Sequence, residues 1–264
     1  MPSTLHTCLS RLRFSGALAL VLLSACATTS RTPSLSPLDG AQQVVLVVTD
    51  DWEATTGTLQ RFERQDGRWH AAGTAAPIAV GRNGTAWGTG LHPTQSQDPQ
   101  KREGDGRAPA GIFALGDAFG YADKNATHMP YRAMQASHYC MDVPASPHYN
   151  QIIDTRQAGE DAAKGSTEPM RLDLSNNGDP RYREGLVIGH NTAAVPNAGS
   201  CIFAHLWRTP GEPTAGCTAM APDTMDALLA WLQPQQHPVF VLLPRAEYRR
   251  LQREWKLPEM ENTP

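Results

Sequence analysis

The chain has 264 residues, 40% of them hydrophobic, which is enough to bury one sizeable core. A formal net charge of −3 and a sequence pI near 6.3 give no broad basic field, and this excludes the electrostatic footprint of a nucleic-acid binder. The 22 glycines and 21 prolines imply frequent turns between short elements, so a mostly β domain is expected.

At the N-terminus, Arg11 and Arg13 precede an apolar run over residues 17–23. The run is too short to span a bilayer and has the layout of a secretory signal. Leu23-Ser24-Ala25-Cys26 resembles the lipobox of bacterial lipoproteins. That resemblance implies a signal over residues 1–25, an acyl anchor on Cys26 that tethers the domain to a membrane face, and, with Ala27 next, an outer-membrane address on the periplasmic side of the envelope. The overlapping pattern Ala25-Cys26-Ala27 leaves an ordinary cleaved signal open. Residues 26–41 are rich in Ser, Thr and Pro without apolar periodicity, the composition of a tether.

The catalytic-size domain is expected over residues 42–245, followed by a C-terminal helix and tail over 246–264. Residues 44–48 form a strongly β-forming run, and residues 58–64 and 68–72 flank Gln65-Asp66-Gly67 as a hairpin. Residues 78–80 and 111–115 continue the brief strands, with a long polar loop over 88–109 as a candidate site lining. Residues 184–190 and 200–205 are further strands joined through 191–199, and 238–243 is the last. Helical spacing is confined to Met225, Leu228, Leu229 and Leu232 after Pro222, and to Tyr248, Leu251 and Trp255.

Chemistry concentrates between residues 185 and 220. Alternation along a strand places Cys201, Phe203 and His205 on one face and Ile202, Ala204 and Leu206 on the other. Gly216 permits a sharp turn that lets Cys217 face His205, and an imidazolium neighbour lowers a thiol's pKa from about 8.5. Backbone N–H groups around Gly216 and Cys217 are candidate oxyanion donors. In an oxidising compartment Cys217 is expected as the free thiol, with Cys140 and Cys201 either paired or both reduced and buried.

His205 and Thr214-Ala215-Gly216-Cys217 resemble the strand histidine and Ser/Thr-x-Gly-Cys turn of the L,D-transpeptidase family of peptidoglycan enzymes, which has the YkuD-like fold. Residues 199–203, Tyr149-Asn150 and Glu168-Pro169-Met170 are similar to the pattern of one subgroup, and residues 109–113 to the family's Pro-x-Gly strand. The resemblance runs over about residues 44–244. It implies a β-sandwich or barrel-like catalytic domain with one or two short helices after the catalytic turn. It also implies a cysteine acyltransferase that acts on peptidoglycan stem peptides through a thioester, with no cofactor and no metal. Cys217 would be the nucleophile, His205 the base, the Leu206 carbonyl its orienter and Gly216 an oxyanion donor.

His190, Asn191, Thr214, Tyr149, Asn150 and Arg208 are expected to contact substrate. Ala219 stands where most members carry arginine, and Arg208 is the expected replacement. Hydrolysis by the same site, giving an L,D-carboxypeptidase, and a silent peptidoglycan-binding lipoprotein are the alternatives. A zinc site of His190, His205, Cys217 and Cys201 has suitable ligand types but no close ligand spacing.

Overall fold

The computed structural model describes residues 36–260, so the signal and the lipidation site at Cys26 lie outside the described residues. The strands, in chain order, are β1 Gln43–Thr49, β2 Thr56–Gln65, β3 Arg68–Ala71, β4 Ala76–Ala79, β5 Thr85–Trp87, β6 Ala108–Gly120, β7 Tyr131–Ala133, β8 His138–Cys140, β9 Ile152–Asp154, β10 Glu168–Pro169, β11 Glu184–Ile188, β12 Phe203–Leu206, β13 Thr218–Met220 and β14 Val239–Pro244. Four helices accompany them: α1 Thr155–Ala158, α2 Leu172–Ser175, α3 Pro222–Trp231 and α4 Arg245–Trp255. The fold is mostly β.

Hydrogen-bonded neighbours run β1-β14-β6-β11-β12-β13-β4-β2, and β2 pairs back onto β1. Eight strands thus close into a barrel-like ring, which removes most of the free edges an open sheet would leave. β3 extends β2 through a turn at Asp66 and Gly67, both with positive φ. β1, the apolar run in the sequence, is buried along its whole length between β2 and β14. The core is filled by Leu46, Ile112, Phe113, Phe240 and Leu242, with Met225, Leu228 and Leu229 of α3 and Tyr248, Leu251 and Trp255 of α4 packed onto it.

Two boundaries differ from the sequence reading. Residues 36–41, assigned by composition to the tether, belong to the domain. Leu38 is fully buried and the Ser36 hydroxyl donates to the Trp255 carbonyl at 2.6 Å. α4 is likewise part of the core and not an appended tail, since Trp255 is 1% exposed. Composition did not reveal this because one buried leucine is enough to anchor a Ser/Pro-rich segment.

The stretch between β6 and β11, where the sequence shows little periodicity, folds into a separate three-stranded sheet of order β10-β8-β9. A disulfide from Cys140 at the end of β8 to Cys201, just before β12, ties this sheet to the barrel, with Cα atoms 5.9 Å apart. No helix among the described residues is long and apolar enough to cross a membrane.

Candidate active site

β12 and β13 run parallel, with Ala204 opposite Thr218, His205 opposite Ala219 and Leu206 opposite Met220. The eleven-residue connection between the strands must therefore return to its starting side, and it delivers Cys217 at the entrance of β13. The alternation holds: Ile202, Ala204 and Leu206 enter the main core, while Cys201, Phe203 and Cys217 join a second cluster with Phe119 and Tyr182. The strand starts later than expected, because Cys201 has φ +55 and its N–H is taken by the Asn150 side chain instead of a strand neighbour.

The turn that carries the thiol is fixed by Thr214. Its hydroxyl accepts the Gly216 N–H at 3.0 Å and donates to the Cys217 carbonyl at 2.7 Å. Thr214 is also bound to the barrel through its own N–H, donated to the Val80 carbonyl at 2.8 Å. Gly216 has φ +153, and a Cβ there would lie 3.0 Å from the Arg107 carbonyl oxygen, so glycine is required. Because its N–H is already used, Gly216 is not the free oxyanion donor expected from the sequence. Among the described residues no partner is found for the Cys217 N–H, which is left as the available donor at the turn.

Cys217 is the free cysteine of the described residues and is 8% exposed. Its Sγ accepts the Phe203 N–H at 3.3 Å, and its thiol donates to the Cys201 carbonyl at 3.5 Å. The His205 Nδ1 donates to the Leu206 carbonyl at 2.7 Å, which fixes the tautomer and leaves Nε2 as the basic nitrogen. The Tyr182 ring packs edge-on against the imidazole at 5.2 Å. Leu206 is in turn held by its N–H to the Arg181 carbonyl at 3.0 Å.

His205 and Cys217 line one cleft of about 250 Å³, but no hydrogen bond joins the imidazole to the thiol. Burial pushes the thiol up to about 12, with the nearby Glu168 carboxylate adding to the effect. Burial also pushes His205 down to about 4, against the opposing pull of the Leu206 carbonyl. Both groups are therefore neutral near pH 7. The resting pair is thiol and imidazole, not the ion pair expected from the sequence, because desolvation is the largest influence on both of these deeply buried groups.

The expected substrate contacts divide. Thr214 lines the cleft, as a turn-setter. Asn150 clamps the backbone, donating to the carbonyls of His190 and Asn191 at 2.9 Å each. His190 has both ring nitrogens engaged, with the Thr89 N–H at 3.2 Å and the Ala198 carbonyl at 2.9 Å. Both residues border a different cavity of about 430 Å³ that is also lined by Cys140 and Cys201. Asn191 is fully buried and spends its amide on the Val195 and Gly199 carbonyls. Tyr149 is buried and donates its hydroxyl to Glu103. Arg208 is an exposed partner of Glu212 and does not replace the arginine missing at 219. Of the expected binding set, Thr214 alone lines the Cys217 cleft. The alternative zinc ligands are not assembled among the described residues, where Cys201 is in the disulfide and no cluster of three such ligands forms.

Besides Glu168 of the subgroup pattern, the cleft contains residues that the sequence did not single out. Arg181 lines it, with Nε and Nη2 bound to Asp179 and no bond from the described residues at Nη1. Lys101 and Glu103 arrive on the long loop before β6, as that loop's length suggested. Glu168 and Tyr182 pair by hydrogen bond in the same cleft as Cys217 and His205. Spacing could not have revealed Arg181, because it approaches from the far end of the β11 hairpin. Ala219 is 1% exposed opposite His205, so the cation at this site comes from another part of the chain.

No protein-family model matches the chain, and no curated protein matches it. Among solved structures, that of Bdellovibrio bacteriovorus Bd1075 aligns with 85% of this chain at 12% identity and a TM-score of 0.40. The alignment spans 58% of that protein's length.

Proposed function

We propose that the domain is a cysteine acyltransferase of the L,D-transpeptidase type, with a YkuD-like barrel, acting on peptidoglycan stem peptides. The observation that supports this most is the shared cleft of Cys217 and His205, with the imidazole oriented by the Leu206 carbonyl so that Nε2 is free to take a proton.

When a substrate carbonyl enters, Cys217 attacks as its proton passes to His205 Nε2, and the Cys217 N–H receives the developing oxyanion. His205 then gives the proton to the departing amine of the terminal D-alanine, and a thioester remains. An amine from a neighbouring stem peptide resolves it to a cross-link, whereas water yields a shortened peptide. With a neutral resting pair, the thiolate is generated only as the bond forms, and the unacylated thiol is protected in an oxidising compartment.

Export and lipidation at Cys26 place the reaction on the periplasmic side of the envelope in this reading, with the membrane reached through the acyl anchor. Incubating the soluble domain with purified disaccharide tetrapeptide and weighing the products tests it. Dimer supports transfer, tripeptide with free D-alanine supports hydrolysis by the same site, and unaltered substrate contradicts both.

A further inference from the structure

Three carboxylates line the Cys217 cleft, and they are not equivalent. Glu103 accepts the Tyr149 and Ser200 hydroxyls on one oxygen and the Gly104 N–H on the other. Both oxygens of Asp142 are bound to Thr167. Glu168 is different: Tyr182 donates to Oε1, and no hydrogen bond from the described residues reaches Oε2. The placement is also secured. Glu168 lies opposite Cys140 across the β8–β10 pair, Cys140 is bonded to Cys201, and the Cys201 carbonyl is the atom the Cys217 thiol touches.

We infer that Glu168 receives the ammonium group of the acyl acceptor, and so determines whether the acyl-enzyme is resolved by an amine or by water. This rests on the thioester reading above. Glu168 takes a proton from the acceptor ammonium, and the freed amine attacks the thioester carbonyl to form the C–N bond. His205 removes the second proton from that nitrogen and passes it to sulfur as the C–S bond breaks. The products are the amide, the Cys217 thiol and a protonated Glu168, which returns its proton to water.

The electrostatics agree with this role. Burial pushes the Glu168 carboxyl up to about 7, the Tyr182 hydroxyl and Arg181 pull it down, and Asp142 pushes it further up. Cys217 faces it as a neutral thiol. A carboxyl in that range exchanges protons near neutral pH and is a far better base toward ammonium than an ordinary glutamate near 4.3.

The test follows disaccharide tetrapeptide by mass as both donor and acceptor, in the wild type, Glu168→Gln and Tyr182→Phe. Glu168→Gln keeps an oxygen for the Tyr182 hydroxyl. The thioester still accumulates in this variant, and the ratio of dimer to tripeptide falls about tenfold or more, the size of a lost charge-assisted contact. Tyr182→Phe removes a donor that holds the carboxyl down, so the pH at which dimer appears moves upward. A ratio within twofold of wild type in Glu168→Gln, a wild type that yields only tripeptide, or a folded Glu168→Gln that forms no thioester overturns the inference. A wild type without thioester overturns the reading beneath it as well.

Discussion

The Phe203 N–H donates to the Cys217 sulfur at 3.3 Å, and the same thiol donates onward to the Cys201 carbonyl at 3.5 Å. The thiol is thus held by the backbone of β12 and of the disulfide-bonded residue before it, and not by the histidine. Alkylation of the folded domain by iodoacetamide is therefore expected to be slow at pH 7 and to climb only above about pH 10, as a thiol pushed up to about 12 begins to ionise. A reactivity plateau with a midpoint below pH 7 would restore the ion pair that the sequence suggested.

His205 is poised as a neutral base. Its pKa is pushed down to about 4, so acylation should hold constant from pH 8 to about pH 5 and fail as pH drops through 4, where the imidazole charges and no longer takes the thiol proton. His205→Ala should lower the acylation rate by roughly 10²–10⁴, the usual contribution of a positioned base. Stopped-flow or quenched mass measurements on the folded variant check both.

Arg181 carries an unengaged Nη1 at the cleft, while Arg208 is paired with Glu212 at the surface. Arg181→Gln is expected to raise KM for a tetrapeptide donor ending in a free carboxylate by about tenfold, and to leave a donor with a C-terminal amide nearly unaffected. Arg208→Ala should leave both within twofold. Steady-state kinetics on the two donors separates an anion contact from a loss of folding.

The disulfide closes a loop of sequence separation 61. Replacing Cys140 and Cys201 together by alanine should cost about 2–4 kcal/mol of stability in denaturant titration. The variant should also lose the transfer product before it unfolds, because β10 and Glu168 are held over the cleft through that bond.

The barrel was legible where burial is continuous. Residues 44–48 and 238–243 read as strands because both of their faces are covered, and α3 showed through the spacing of Met225, Leu228 and Leu229. Ring closure was not legible, since the pairing of β1 with β14 and of β4 with β13 depends on long-range register. The region of β7 to β10 was missed because its strands are two or three residues long and are held by side chains such as Asn150 and by the disulfide. In the site, Cys217 and His205 came from local pattern, and the Leu206 carbonyl from the family resemblance. His190 and Asn191 were read as substrate contacts because polar residues at a strand end look alike whether they bind a ligand or satisfy buried backbone, whereas Tyr149 and Asn150 came from the subgroup pattern. Glu168 was visible in the subgroup pattern, whereas Arg181 and Tyr182 reach the cleft only through tertiary packing.

Intact mass of the soluble domain after exposure to a carbapenem tests the central claim most directly, because the drug is trapped as a stable acyl-enzyme by a nucleophile of this type. The expected result is a single covalent adduct on the wild type that Cys217→Ala abolishes. An unmodified wild type, under conditions that acylate a control L,D-transpeptidase, or an adduct that survives Cys217→Ala, would contradict it.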